Sequence, residues 1–488
     1  MSDEVIIIPE EAKILDILLH ENKMARFPEQ EDAAIDLLVE FVNELLDTKE
    51  SPGESRIISF LTRRIAEIDE TLSDQINEIM HHPDYQKLEG SWRGLRYFVM
   101  NTETGTHLKI RLLNASLKDL RDDLTKAIEF DQSELFKKVY EEEYGTFGGA
   151  PYSCLIGDYS FTNQPQDIQF LEHISGLAAA AHTPFIAAVS PLFFNLDTFE
   201  HMPYPRDLAK IFESPDYIKW NSFRDTEDSR YVSLLLPRIL MRLPYGPTTL
   251  PVAEFNFTEN VGVGDTSKFC WGNPAYALGQ RITSAFAKYN WTAAIRGVEG
   301  GGMVEGLPTY IFKTLDGDKV VKCPTEVAIT DRREKELSDL GFIAACYRKG
   351  SDYAVFFGGQ TTQKPKVYNL DDANANASIS SRLSYMLVSS RFAHYIKVIM
   401  RDKIGAFLTK ENVENYLNTW IASYVLLNDD APANIKAAYP LREGRIDVYD
   451  IPGSPGSYKS VIYLRPHFQM EELTASIRLV ATLPARAG

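Results

Sequence analysis

The side chains that could do chemistry in this chain do not gather into a pattern that chemistry requires. There are nine histidines, among them the pair His81-His82 and the isolated His173, His182, His394 and His467. None stands in an H-E-x-x-H or other ligand spacing, so packed or capping roles fit them better than metal binding. Cys154, Cys270, Cys323 and Cys346 lie far apart without C-x-x-C spacing, which suggests scattered reduced thiols, with neither a zinc knuckle nor a disulfide framework. Gly262-Val263-Gly264 begins like a dinucleotide-binding turn, but Ser267 stands where the third glycine belongs and no βαβ context follows. Gly300-Gly301-Gly302 lacks the Lys-Ser/Thr of a phosphate loop and reads as a flexible loop or tight corner. No G-x-S-x-G elbow occurs. The paired acids Asp371-Asp372 and the run Glu141-Glu142-Glu143 suit a solvated face. The expectation is no catalytic residue, no cofactor and no metal.

Composition bounds the alternatives. A chain of 488 residues exceeds the size at which single cores divide, so two or more domains are expected. With 44% hydrophobic and 24% charged residues it is an ordinary globular composition. A net charge of -17 argues against nucleic acid as the main partner. The apolar stretch 174–194 is interrupted by Ser175, His182, Thr183, Pro184 and Ser190, so a helix ending near His182 and a buried strand Phe185 to Val189 are expected in place of a membrane span. The Met-Ser-Asp-Glu start lacks the basic and apolar regions of a secretory signal, and cytoplasmic residence is the expectation.

The elements follow from spacing. After Pro9, Ile14, Leu15, Leu18 and Leu19 form one helical stripe that stops near Arg26-Phe27-Pro28; it could pack on the chain's own core or enter another protein's groove. Helices are predicted over 31–46 and from Ser55, the latter with Ile57, Leu61, Ile65, Ile68, Leu72, Ile76 and Ile79 at three- and four-residue steps. From about 108 to 355, short apolar runs alternate with helices, which is an α/β texture. Within it, strands are predicted at 108–113 and 153–156, a capping box at Ser116-x-x-Asp119, helices over 166–181, 229–241 (bent at Pro237) and 275–289, and a hairpin of 343–347 with 353–357. Asp371 to Ala377 reads as a hinge before one long helix carrying Ile379 to Ile404, and another helix is predicted over 413–427. The tail differs in kind. The runs 445–449, 460–465 and 473–482 are strand-like, separated by Pro452-Gly453-Ser454-Pro455-Gly456 and by Pro466. Ile446, Val448, Val461, Tyr463, Leu473, Ala475, Ile477 and Leu479 are the candidate residues of strands offered to neighbouring chains.

From His81 to Leu95 (HHPDYQKLEGSWRGL) the sequence resembles the large subunit of the type VI secretion contractile sheath. The resemblance continues through YEEEYGTFGG (140–149), EDSRY (227–231), RLPYG (242–246), CPTEVAITDRR (323–333), RFAHY (391–395), RDKIG (401–405) and LRPH (464–467), in fixed order from about Ser55 to Pro484. It implies a tail-sheath-like α/β (mixed α+β) body, with a helical arm over 1–54, the body over 55–370 and a C-terminal sheath domain over 371–488 whose strands join sheets between subunits. It implies a heterodimer with a small sheath subunit, contacts with neighbouring protomers, an inner tube and a baseplate, and recycling by an AAA+ unfoldase. No nucleic acid and no membrane insertion enter that list. The segment Ile14, Leu15, Leu18, Leu19, Phe27 and Pro28 then becomes the candidate unfoldase-binding helix. The rivals are a sheath of a phage-tail-like injection particle and a cytoplasmic enzyme with a dispersed site.

Overall fold

The run Val232-Ser-Leu-Leu-Leu236 is buried throughout, as a strand with helices on both faces must be. It forms β3 (Val232–Leu236) at the centre of a six-stranded sheet in the computed structural model, which describes residues 27–47, 54–127, 130–253, 255–262, 265–313, 317, 319–406, 409–452, 458–467 and 469. β1 (Leu155–Phe161), β2 (Phe185–Val189), β3 and β9 (Phe342–Tyr347) run parallel, and β10 (Ala354–Phe356) and β6 (Met303–Val304) extend the sheet antiparallel. Residue alternation sorts the core into two layers. Phe185, Ala187, Val189, Val232, Leu234, Leu236, Phe342 and Ala344 face one cluster, which α5 (Pro165–Ala181), α6 (Ile218–Arg224) and α8 (Asp331–Asp339) complete with Leu171, Trp220 and Leu337. Ile186, Leu235, Ile343 and Ala345 face the other, with Leu278 and Ile282 of α7 (Pro274–Tyr289). The first layer is aromatic: Trp220 stacks on Phe342 at 5.5 Å and meets Phe193 edge-on at 4.8 Å.

Two small antiparallel pairs lie outside this sheet, β4 (Ile239–Leu240) with β5 (Trp271–Gly272) and β7 (Ile311–Lys313) with β8 (Lys319–Val321). The helices α1 (Glu31–Asp47), α2 (Glu54–Met80) and α3 (Pro83–Met100) precede the body, and α4 (Leu117–Lys126) opens on the predicted capping box, Ser116 and Asp119 each bonding the other's backbone. Residues 1–78 with 246–259 form one unit, and 79–245 with 260–488 the other. C-terminally, α9 (Asp371–Ser380), α10 (Leu383–Asp402) and α11 (Lys410–Ala422) lead to a hairpin of β11 (Leu441–Asp450) and β12 (Tyr458–Pro466) over a third core of Trp291, Phe392, Leu417 and Ile421.

Five expectations are corrected. Residues 232–236 are a strand, not the interior of a helix, because a short run buried on both faces carries no period that separates the two. Residues 108–113 run without a turn or bend but pair with no strand among the described residues. The predicted hinge at Asp371 is helical: its alanines favour a helix, and Asn374 accepts the Tyr368 N–H at 2.6 Å just before the first turn. The long helix beyond it is broken at Ser381-Arg382, so that α9 and α10 are separate, and the next helix closes at Ala422, short of Leu427. The positions Val263, Gly264, Ile14, Leu15, Leu18, Leu19, Leu473, Ala475, Ile477 and Leu479 lie outside the described residues.

Candidate functional site

Among the described residues the C-terminal hairpin has one covered edge and one open edge. Its inner face is set by alternation: Ile446 and Val448 are buried against Val413, Leu417 and Ile421 of α11, so two of the predicted inter-subunit positions belong to the chain's own core. Val461 and Tyr463 fall on the other face, where Tyr463 is 48% exposed beneath the Arg445 guanidinium, 4.7 Å away. On the free side of β11, Asn418 of α11 stands in for a strand, donating to Ile446 O at 2.7 Å and accepting from Ile446 N at 3.0 Å. Glu414, one turn earlier, accepts the Val448 N–H at 3.1 Å. Ile446 and Val448 thus turn their backbone groups away from β12. In an antiparallel pair their opposite residues, Ile462 and Ser460, must do the same on the far side. There the amides and carbonyls of Ser460, Ile462 and Leu464 meet no partner among the described residues. An open backbone edge of this kind pairs with a further strand. Asn418 and Glu414 gave no sequence signal, since a polar pair at i, i+4 on a helix is an ordinary solvated pair.

A second surface lies on α2. Ile58, Leu61, Ile65, Ile68 and Leu72 alternate in steps of three and four, the spacing of a coiled-coil seam, and each is between 39% and 58% exposed. An adjoining polar stripe is buried: Asp69, Ser73 and Asn77 are each at most 9% exposed, with Asn77 donating to Thr258 O at 3.3 Å and Asn256 to Asp69 at 3.3 Å. A helix that hides a polar stripe and presents an aliphatic one is built for another helix. Of the N-terminal set, Phe27 is 64% exposed and Pro28 opens the short turn into α1.

Several of the segments quoted for the sheath resemblance become structural joints. Glu89 of α3 receives the Arg242 guanidinium through two bonds of 2.6 and 3.1 Å and Arg93 at 2.7 Å, while Arg93 reaches the Tyr245 hydroxyl at 3.1 Å. Burial alone would raise the Glu89 pKa, but Arg242 and then Arg93 hold it below the ordinary carboxylate range. Gly90 of the same segment lets α3 lie against the Trp271 carbonyl, where a Cβ would collide with backbone. Likewise Arg401 donates to the Tyr144 carbonyl at 2.6 Å, and Glu326 holds Arg238 through bonds of 2.7 and 2.8 Å. These are joints between distant segments.

The histidines divide the same way. His82 caps α3 by accepting from Asp84 N, and His182, in the left-handed region at the end of α5, meets the Tyr231 hydroxyl at 3.2 Å. His394 donates from Nε2 to Ala181 O at 2.9 Å, and its Nδ1 has no partner among the described residues. Burial, then the nearby charges of Arg391, His182 and Lys397, push its pKa down to about 4. Lys397 itself sits 3.5 Å over the Tyr144 ring, its pKa lowered by burial and by Arg401. Gly301 and Gly302 form a tight corner against Ala294 and Arg296, as one reading of that run allowed. Burial raises the pKa of every cysteine, the opposite of what an active thiolate needs. Among the described residues no group of acids, histidines or cysteines could hold a metal, and no helix is long and apolar enough to cross a membrane.

Comparison with known proteins agrees with an assembly role. The chain is 49% identical over 427 residues to the type VI secretion system sheath protein TssC1 of Pseudomonas aeruginosa, covering 86% of this chain and 85% of that one. Structural overlap is partial with the anti-feeding prophage baseplate (TM-score 0.35, 11% identity, 64% of this chain and 66% of that chain) and with a contracted PVC sheath of an extracellular contractile injection system (TM-score 0.35, 9%, 64% and 68%), too little to carry weight. Residues 62–363 match the EvpB/VC_A0108 tail sheath N-terminal domain and residues 372–483 its gpW/gp25-like domain, and with these two matches in sequence order the chain belongs to the EvpB/VC_A0108 tail sheath family.

Proposed function

We propose that the chain is the large structural subunit of a type VI secretion contractile sheath. It pairs with a small sheath subunit, polymerises with neighbouring protomers around an inner tube on a baseplate in the cytoplasm, and contracts to drive the tube outward. The observation that carries this reading is the polarity of the C-terminal hairpin: with β11 sealed by Asn418 and Glu414, strand addition is confined to the outer edge of β12. Contacts of one handedness that never close generate a helical lattice. The aliphatic seam of α2 supplies a second contact, suited to a partner helix. Residues 1–54 act as the arm that an AAA+ unfoldase grips, 55–370 as the body and 371–488 as the linking domain. The reading gives the chain no catalytic role and no cofactor; the work of contraction comes from the energy difference between two lattice packings.

Co-expression with the small sheath subunit, followed by electron microscopy, tests it: hollow tubules are expected, and a chain that neither co-purifies nor forms tubules refutes it. Replacing Leu15, Leu18 and Leu19 by Asp is expected to weaken unfoldase binding while sparing tubules; loss of tubules instead would assign that stripe to the fold.

A further inference from the structure

The segment Leu108–Asn114 runs without a turn or bend and belongs to no sheet among the described residues. Its ends are pinned, by the Gly105 N–H to Leu108 O bond of 2.9 Å before it and by the Tyr159 hydroxyl on Ala115 O at 2.7 Å and the Ser116 cap after it. Arg111 fastens the middle by bonding Glu143 and the Tyr152 hydroxyl. Between those anchors no backbone amide or carbonyl of Lys109 to Asn114 has a hydrogen-bond partner among the described residues. Leu108, Ile110 and Leu112 line one open groove with Leu95 and Val99 of α3, and Leu112 is 68% and Leu113 52% exposed. A segment anchored at both ends and in the middle, with its leucines in water, is preorganised for a partner and binds with less ordering cost.

We propose that this segment is a second strand-accepting edge, separate from the C-terminal hairpin, and that its occupant is a β-strand of a different polypeptide. That strand lays alternate apolar side chains into the groove over Leu95 and Val99 and sets an acidic residue opposite Lys109. Charge and register exclude the same segment of a second copy. The antiparallel register that places Leu108 against Leu112, and so matches apolar face to apolar face, also places Lys109 against Arg111. Like charges directly opposite are unfavourable, and shifting the register by one residue sets leucine against lysine.

The test takes the small sheath subunit as its probe, and in that choice it rests on the sheath reading. Hydrogen exchange is followed in the full chain alone and co-expressed with that subunit. In the complex, alternate amides between Lys109 and Leu113 are expected to slow by about a hundredfold or more, while in the chain alone they exchange freely at all concentrations. Lys109→Pro and Ile110→Pro remove adjacent N–H groups that point to opposite sides and are unbonded in the isolated chain. One of the two is expected to weaken capture of the subunit by about tenfold or more and the other to have a smaller effect, with the helical circular dichroism of both unchanged. Lys109→Glu is expected to weaken capture as well. A complex that forms while these amides stay unprotected overturns the proposal and leaves the sheath reading standing. Protection that grows with concentration of the chain alone overturns it in favour of self-pairing. Failure of the wild-type chain to capture the subunit overturns both.

Discussion

The central sheet and the C-terminal hairpin are built from similar residues and serve opposite ends. In the sheet, β2, β3 and β9 are covered by helices on both faces and flanked by strands, so nothing of their backbone is on offer. Among the described residues only one face of the hairpin is covered, and of its two edges a helix seals one and leaves the other. The contrast separates what makes the subunit stable from what makes it polymerise. Strands enclosed on both faces and both edges give a rigid body, whereas a hairpin edge with no partner among the described residues gives a directional joint.

The largest effect is expected where the closed core is opened. Trp220→Ala removes a fully buried ring that packs on Phe193 and Phe342, and about 3–5 kcal/mol of stability should be lost, measured by urea denaturation. A loss below about 1 kcal/mol would show that the aromatic layer is not the stabilising one.

Next comes the buried His394. Its folded pKa of about 4 lies below the ordinary 6.5, so between these values the unfolded chain takes a proton that the folded chain refuses. The resulting stability is fully present above pH 6.5 and falls as the pH drops towards 4, by on the order of 3 kcal/mol. His394→Gln keeps a donor for the Ala181 carbonyl and should flatten that part of the profile relative to the wild-type chain. Identical profiles would mean that other groups carry the acid sensitivity.

The sealed edge is a smaller term with a specific signature. Asn418→Leu strips two hydrogen bonds from Ile446 and should cost about 1–3 kcal/mol. Because it exposes a second edge, concentration-dependent association should appear in light scattering; a variant that loses stability but stays monodisperse would show that the amide only stabilises. Smallest in stability is Ser460→Pro, which removes an N–H directed away from β11. Its effect on the isolated chain should stay under about 1 kcal/mol while tubules disappear, and normal tubules would exclude β12 as the joint.

Much of the architecture could be read from spacing. The helices over 31–47 and 274–289, the capping box at Ser116 and the β9–β10 hairpin follow from local period and local hydrogen bonding. Residues 232–236 could not, because a run buried on every side has no polar face to mark its period. The hinge expected at Asp371 failed for a related reason: Asn and Asp favour turns in isolation, and here they sit among alanines in α9. The runs 445–449 and 460–465 were visible as strands, but the sequence could not say that Ile446 and Val448 face inward or which edge Asn418 and Glu414 cover.

The sequence by itself determined the helical and strand periods and the segments by which the chain resembles contractile sheaths. Those are properties of neighbours along the chain. Only the tertiary structure decided that Asn418 and Glu414 close β11, that Glu89 meets Arg242, and that α2 turns its aliphatic stripe outward. Each of these depends on which distant backbone or charge is left uncovered after the core has packed, and hydrophobic burial is blind to order along the chain.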